Sequence, residues 1–259
     1  MLDVTTALDA LLEFYNDIKQ ENVLYIAEKL YHLRISSREA PSSLPWLNHL
    51  LRAHIHEKKH HTHPMYMDLL ANRLDRNMLE NFISEYYWGS GYGFQREVIN
   101  LVYKSTPHRA FKDYLKIILK EEQKPRPHYM IFQEVIAALK MSLKERKDIS
   151  LKFVNNQYNG YSSNIYYSLG YALGIEVEAD YQIALLTCAL SNTYYDEVSN
   201  HEYFDIHVDT TGEEAHAKET CLWIEKLITS EDDTQNVISG FDMAIQDTST
   251  FMHDIRAIL

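Results

Sequence analysis

The stretch IYYSLGYALGIEVEADYQIALLTCAL, residues 165–190, decides the fold. It is rich in Tyr, Leu, Ile and Ala over far more residues than a strand needs, which predicts a long apolar helix. Glu176, Glu178 and Asp180 interrupt it. Carboxylates are costly to bury without partners, and a metal ion is one of the few partners that stabilise several together. The sequence therefore predicts a helix that contributes to a metal site.

Composition favours an all-α protein with one core. The chain has 259 residues, of which 46% are hydrophobic, enough for one globular domain over residues 1–259. Gly (8) and Pro (6) are scarce, whereas turn-rich β domains need them often. We expect residues 1–64 to form N-terminal helices and a histidine-rich tract, and residues 65–259 to form the core that carries the metal ligands.

The charge balance argues against nucleic acid as a partner. The 25 Lys and Arg against 37 Asp and Glu give a formal charge of −12, which repels phosphate backbones and anionic membranes. No apolar run long enough for a membrane span and no signal peptide is readable, so we expect a cytoplasmic protein without a membrane partner. Cys188 and Cys221 lie in apolar helical context and are expected to be buried thiols.

Three further segments carry simple expectations. Residues 3–33 show helical spacing of leucines and predict one or two amphipathic helices. Residues 145–164 are polar and rich in Asn, which favours a loop. Gly89, Gly91 and Gly93 do not follow a strand and are not followed by Lys-Ser/Thr, so close packing or a pocket wall explains them better than a phosphate loop.

The richest histidine tract spans residues 54–63. His56 and His60 have the four-residue spacing that can place two zinc ligands on one helix face. Lys58 and Lys59 lie between them and oppose a cation, and a solvated, partly charged face explains the composition equally well. The tract is therefore not included among the predicted ligands.

Imidazoles and carboxylates crowd together in residues 203–217, which we interpret as half of a metal site. Glu121 ends one predicted helix and His128 begins the next after the break at residues 123–127, so the carboxylate can face the imidazole. Oxygen and nitrogen ligands without thiolates suit non-haem iron or manganese. Inward-facing Glu and His from separate helices build dimetal sites in helical bundles.

At these residues the chain resembles the haem-oxygenase-like dimetal oxidase family, which includes a chlamydial protein that associates with death domains. Residues 117–132 are similar to the motif Asn-Leu-x-x-Glu-Glu-x6-His-x-x-x-Trp/Phe, and residues 173–176 to the family's second-helix Glu motif. Residues 203–207 and 216–219 are similar to Tyr-Phe-x-x-His-x-x-x-Asp-x-x-His-Ala. The resemblance covers about residues 85–223.

The resemblance implies an all-α, haem-oxygenase-like (TenA/PqqC-like) helical bundle with a non-haem di-iron site. It implies two Fe ions, with Mn as an alternative, an oxidoreductase that uses O2, and a small amino-acid-like or fatty-acid-like substrate. A homodimer is a further expectation. The implied metal ligands are Glu121, His128, Glu176, His207, Glu213 and His216.

Several assignments stay open. The family places its two late histidines seven residues apart, on one helix face, whereas His207 and His216 are nine apart, on opposite faces of a regular helix. An insertion at residues 210–212 that breaks the helix would retain His216 and assign Glu213 to the family's Asp, with Asp209 as the alternative. A regular helix would instead favour Glu214. In the long apolar helix, Glu178 competes with Glu176.

Two other functions remain. One is a metal-free enzyme of cofactor metabolism on the same fold, similar to the thiaminase-like pyrimidine hydrolases or the quinone-cofactor synthesis oxidase. The other is a non-catalytic helical binding protein.

Overall fold

The computed structural model describes residues 6–36, 42–51, 60–209 and 213–259, and the side chains of residues 213–215 are not described. Every regular element in these ranges is helical. The α-helices are α1 Ala7–Ile18, α2 Val23–Tyr31, α3 Pro45–His49, α4 Pro64–Leu70, α5 Arg76–Tyr86, α6 Asn100–Ser105, α7 Arg109–Glu121, α8 His128–Ala138, α9 Asp148–Tyr161, α10 Ile165–Ser199, α11 Glu202–Val208, α12 Glu213–Leu227 and α13 Glu231–Ala257. Shorter π-helical and 3₁₀ segments are His32–Ser36, Tyr87–Gly91, Gly93–Ile99 and His60–Thr62. The all-α prediction is confirmed.

Helix α10 is the central element of the bundle, as the apolar run predicts. Its N-cap is Asn164, whose side chain accepts a hydrogen bond from the Tyr167 N–H at 3.0 Å. An unbroken series of its residues, 180–191, is buried, so the helix has neighbours on all sides. Helices α1, α2, α9, α11, α12 and α13 all pack against it.

The crossing of α10 and α13 is close enough to require glycine. A Cβ added at Gly170 would lie 2.0 Å from the Val237 carbonyl oxygen, and one added at Gly240 would lie 2.0 Å from the Tyr167 carbonyl oxygen. Both distances are far inside van der Waals contact. The two backbones therefore touch, and this crossing fixes the position of the carboxylates on α10.

The expectation of a loop at residues 145–164 is wrong, because α9 occupies most of that range. Two features compensate for its polar sequence. The buried carboxylate of Glu85 accepts hydrogen bonds from the N–H groups of Lys147 and Ser150, each at 3.3 Å, and so caps the first turn. Phe153 and Tyr161 are buried against the rest of the core.

Asp180 is held by an ion pair. Its Oδ1 lies 2.5 Å from Nη2 of Arg34, and both side chains are buried. Nη1 of the same guanidinium donates to the carbonyl of Val208 at 3.1 Å, at the end of α11. Arg34 therefore connects the N-terminal helices to both α10 and the helix that carries His207.

Part of the histidine tract, residues 52–59 and so His54 and His56, lies outside the described residues. Of the others, His61 is buried and stacks on Tyr31 with ring centroids 4.6 Å apart. His63 caps α4, since its Nδ1 accepts from the Met65 N–H at 3.1 Å. These two histidines serve packing and capping.

The glycine-rich segment forms π-helical turns and one wall of a cavity. A Cβ at Gly89 would lie 2.6 Å from the Phe251 ring, and one at Gly93 would lie 2.3 Å from the Trp88 carbonyl oxygen. Gly91 has only ordinary contacts and lines the cavity. Both expected explanations, close packing and a pocket wall, are found here.

No helix in the described ranges is long and apolar enough to cross a bilayer.

Candidate metal centre

The predicted ligands that the structure describes fall into two contacting groups. His128 and His207 lie together with Glu122, and His216 lies together with Glu121 and Glu176. The three imidazoles, Glu122 and Glu176 are each at most 6% exposed, whereas the Glu121 side chain is 44% exposed. A buried set of imidazoles and carboxylates is thus drawn from α8, α10, α11 and α12, and from Glu122, which directly follows α7.

The first group has its imidazoles side by side. The rings of His128 and His207 are 4.7 Å apart between centroids, at an interplanar angle of 71°. Nδ1 of His128 lies 3.2 Å from Oε2 of Glu122. Gln95 donates from Nε2 to the same carboxylate oxygen, and its own Oε1 accepts from the Tyr129 N–H at 3.4 Å. Gln95 therefore fixes Glu122 relative to the helix that carries His128.

Main-chain carbonyls fix which ring nitrogen of each histidine carries hydrogen. Nε2 of His128 lies 2.7 Å from the Lys124 carbonyl oxygen, and Nδ1 of His207 lies 2.6 Å from the Tyr203 carbonyl oxygen. A carbonyl only accepts, so these two nitrogens are the N–H donors. The opposite nitrogens, Nδ1 of His128 and Nε2 of His207, are then the ones that can bind a metal. Metal-binding histidines in proteins usually show this second hydrogen bond.

In the second group, one imidazole lies between two carboxylates. Nε2 of His216 is 3.1 Å from Oε2 of Glu121, and Nδ1 is 3.4 Å from Oε2 of Glu176. The hydrogen bond from His216 lowers the pKa of Glu121. Two carboxylates that face both nitrogens of one ring are stabilised by a positive charge there, which either an imidazolium or a metal ion would supply.

A hydrogen-bond chain holds the backbone at His216. The Thr220 hydroxyl donates to the His216 carbonyl at 2.8 Å, and the buried Tyr114 hydroxyl donates to Thr220 Oγ1 at 2.9 Å. Tyr114 belongs to α7, the helix that ends at Glu121. The chain therefore couples the two helices that bring these two residues together.

The predicted break between His207 and His216 is present. Helix α11 ends at Val208, Asp209 is extended with φ −62° and ψ 155°, and α12 begins at Glu213. The regular-helix alternative, which discards His216, is therefore wrong. The residues at the break, 210–212, lie outside the described part of the chain.

Glu176 and Glu178 face different neighbours. Two residues apart on a helix, their side chains leave the axis roughly 200° apart. Glu176 contacts His216, whereas Oε2 of Glu178 accepts from Gln182 Nε2 at 3.4 Å and the carboxylate lies beside the Tyr66 hydroxyl. Burial raises the pKa of Glu178 to about 7. The contact with an imidazole favours Glu176 as the ligand.

Sequence reasoning missed Glu122. It expected Glu121 to face His128, but the adjacent residue does so, and Glu121 faces His216 instead. One residue rotates a helical side chain by roughly 100°, so the two neighbours point to the two groups. The adjacent pair Glu121–Glu122 in the sequence already indicated this arrangement, because it directs one carboxylate to each of the two groups.

The first group, together with Glu176 of the second, borders one cavity of about 70 Å³. Polar and titratable side chains line part of its wall and aromatic side chains line most of the remainder. The lining residues are Tyr86, Ser90, Gly91, Phe94, Gln95, Glu122, His128, Tyr129, Phe132, Phe153, Gln157, Ile175, Glu176, Glu178, Ala179, Gln182, Ile183, Tyr203, His207 and Thr248.

The donor set fits a dimetal centre in its chemistry. Within the described side chains, no three His, Cys, Asp or Glu residues already converge on a single ion position. The side chains of Glu213 and Glu214 lie outside that description, while Asp209 is half-buried at the end of α11. The hydroxyl of Tyr161, buried near Glu176, has no hydrogen-bond partner among the described residues. A buried hydroxyl in that position is available to hydrogen-bond to a molecule bound at the site.

The helices and their order define an all-α protein with a haem-oxygenase-like fold, as the resemblance implies. The structure is similar to the crystal structure of a domain of unknown function with that fold from Shewanella denitrificans OS217. The two share 16% sequence identity with a TM-score of 0.58, over 78% of this chain and 90% of that one. This likeness shows the fold alone. No protein-family model and no curated protein matches the sequence.

Proposed function

We propose that this protein is an iron-dependent oxidoreductase that uses O2 and oxidises a small organic substrate beside a dimetal centre. The observation that supports it best is the hydrogen bonding of His128 and His207, whose N–H groups are held by the carbonyls of Lys124 and Tyr203. This arrangement orients the other nitrogen of each ring for a metal, and a buried carboxylate already lies against one of them.

The two groups would each hold one ion. Glu122, His128 and His207 form the first set of donors, and Glu176 and His216 form the second. Glu121 lies at the exposed side of the second set, and Glu213 is a further candidate there. When bound, iron supplies the one-electron chemistry with O2 that these side chains lack.

The chain's own residues would orient the donors and exclude water. Gln95 holds Glu122, and the Thr220–Tyr114 hydrogen bonds hold the backbone of His216. The aromatic wall includes Phe132 and Tyr203, whose rings stack 4.7 Å apart between centroids. Such a wall gives a substrate an apolar surface close to the donors and keeps bulk water out.

Anaerobic titration with Fe(II) tests the proposal directly. We expect two ions per chain, because each of the two groups supplies donors for one ion. His128→Ala and His207→Ala should each lower the iron stoichiometry, and His108→Ala, an exposed matched control, should not. The loaded protein should then consume O2 in a stopped-flow measurement.

The contacts of His216 also favour a second candidate, a metal-free enzyme on the same fold. An imidazolium between Glu121 and Glu176 would satisfy both carboxylates without metal. In that case Fe(II) would bind weakly and without defined stoichiometry, and NMR would detect a doubly protonated imidazole near neutral pH that Fe(II) leaves unchanged. That result would reject the dimetal centre.

A further inference from the structure

One carboxylate in the cavity wall lies outside the two groups of proposed metal donors. Glu178 belongs to α10 and is 4% exposed. Oε2 of Glu178 accepts from Gln182 at 3.4 Å, a long hydrogen bond, and the same Gln182 Nε2 donates to the Tyr66 hydroxyl at 2.7 Å. Both Glu178 and Gln182 line the cavity, and Tyr66 lies behind them on α4. The three polar side chains form a patch that the proposed metal binding does not use.

This patch has the chemistry of a cation-binding site. Among the described residues, its carboxylate accepts hydrogen bonds from neutral neighbours only. A buried carboxylate gains most from a charged donor. Tyr86 also lines the cavity and contacts Phe132 edge to face, with centroids 5.9 Å apart. An aromatic ring beside a carboxylate is a common surrounding for an ammonium group.

We propose that Glu178, with Gln182, binds the ammonium group of a primary-amine substrate in this cavity. The inference rests on the proposed function, because it names the substrate class of the same site. The apolar wall around Ile175 and Ile183 would take the alkyl part of the amine. The carbon that bears the ammonium group would then lie in the cavity that His128 and His207 also line.

The hydrogen-bond partners of Glu178 support this assignment. Among the described residues, Glu178 hydrogen-bonds only to the neutral side chains of Gln182 and Tyr66, unlike Asp180, whose Oδ1 lies 2.5 Å from Arg34. Two acidic side chains only two residues apart on α10 thus differ in whether the protein itself provides the cation. A ligand can provide it for Glu178.

Binding of three six-carbon probes to the metal-free, full-length protein tests the proposal without iron or turnover. We expect n-hexylammonium to bind most tightly by calorimetry, n-hexanol less tightly, and hexanoate least. Glu178→Gln should weaken hexylammonium binding at least tenfold, to the level of hexanol, because it removes the charge with little change of shape. Glu145→Gln, which removes one charge at an exposed position, should bind as the wild type does.

Three outcomes would overturn the proposal. In the first, hexanoate would bind as tightly as hexylammonium. In the second, the Glu178→Gln and Glu145→Gln proteins would bind hexylammonium equally well. Alternatively, Glu178→Gln could lower the Fe(II) stoichiometry, which would make Glu178 a metal ligand. If Glu178→Gln does not fold, Gln182→Met serves instead, and it should weaken hexylammonium binding more than hexanol binding. If the wild-type protein binds no stoichiometric Fe(II) but still prefers hexylammonium, only the dimetal centre is rejected, and the amine site stands.

Discussion

Replacing Arg34 with Met should destabilise the protein strongly, because it leaves Asp180 buried without this partner. The guanidinium lies 2.5 Å from Asp180 and 3.1 Å from the Val208 carbonyl oxygen, and both charged side chains are buried. Removing one partner of a buried pair costs about 3–5 kcal/mol, because it leaves the other charge unneutralised. The lost hydrogen bond to Val208 is part of the same effect, so we expect a total of about 4 kcal/mol.

The assay is urea denaturation of a double-mutant cycle. Arg34→Met/Asp180→Leu replaces the pair with apolar side chains, which is often neutral or stabilising, so it should recover about 2–4 kcal/mol of the single-variant loss. Arg34→Lys is the matched control of charge, and it should remain clearly destabilised since one ammonium cannot reach both Asp180 and Val208 in the same planar geometry.

Two results would refute this reasoning. A loss below about 1 kcal/mol for Arg34→Met is typical of exposed surface ion pairs. It would mean that Asp180 is solvated or neutralised by another group. Strictly additive effects in the double variant would mean that the two side chains do not interact. If the reasoning holds, Arg34→Met should also weaken Fe(II) binding, since Val208 follows His207 directly on α11.

Three other predictions concern stability. Gly170→Ala should cost about 1–3 kcal/mol in thermal denaturation, because its Cβ would lie 2.0 Å from the Val237 carbonyl oxygen; an unchanged melting temperature would contradict the close crossing. Burial lowers the pKa of His63 from 6.5 to about 4. Between these two values the unfolded chain binds more protons than the folded one, so stability should fall as pH decreases from about 6.5 to about 4. His63→Asn keeps a capping acceptor, and melting temperatures measured across pH 4–7 should fall less steeply for this variant than for the wild type. Tyr114→Phe should cost about 1 kcal/mol in urea denaturation through the lost hydrogen bond to Thr220, and a neutral effect would show that the chain to His216 is not maintained.

The sequence predicts the central helix and the residue types of the site because both depend on local pattern. The apolar run of α10 is too long for a strand and therefore favours a buried helix. The break between His207 and His216 is also local, since Gly and paired Thr disfavour a continuous helix. These features can be predicted without knowing which residues distant in the chain contact them.

The features that the sequence does not predict depend on partners distant in the chain. Helix α9 is stable because Glu85, far away in sequence, caps its first turn. The choice between Glu121 and Glu122 depends on how α7 is rotated against α8 and α12, and neither residue type nor spacing records that rotation. The partner of Asp180 is Arg34, which no periodicity links to it.

Charge balance gives a reason to choose among the carboxylates at the break. In the proposed centre, two Fe(II) ions would bring four positive charges, whereas Glu121, Glu122 and Glu176 would bring three negative ones. A buried centre is most stable near neutrality. Glu213 begins α12 three residues before His216, so the two share a helix face, and Glu-x-x-His is a recurring dimetal ligand pair in bundles.

We therefore expect Glu213→Gln to lower the Fe(II) stoichiometry from two to one per chain in anaerobic titration. Asp209→Asn, on the other side of the break, and Glu214→Gln, roughly 200° around the helix from His216, are matched controls that should still bind two. Loss of iron in the Asp209 variant with retention in the Glu213 variant would reverse the assignment. It would mean that the fourth negative charge comes from the end of α11, beside His207, and that the two ions are unequally neutralised.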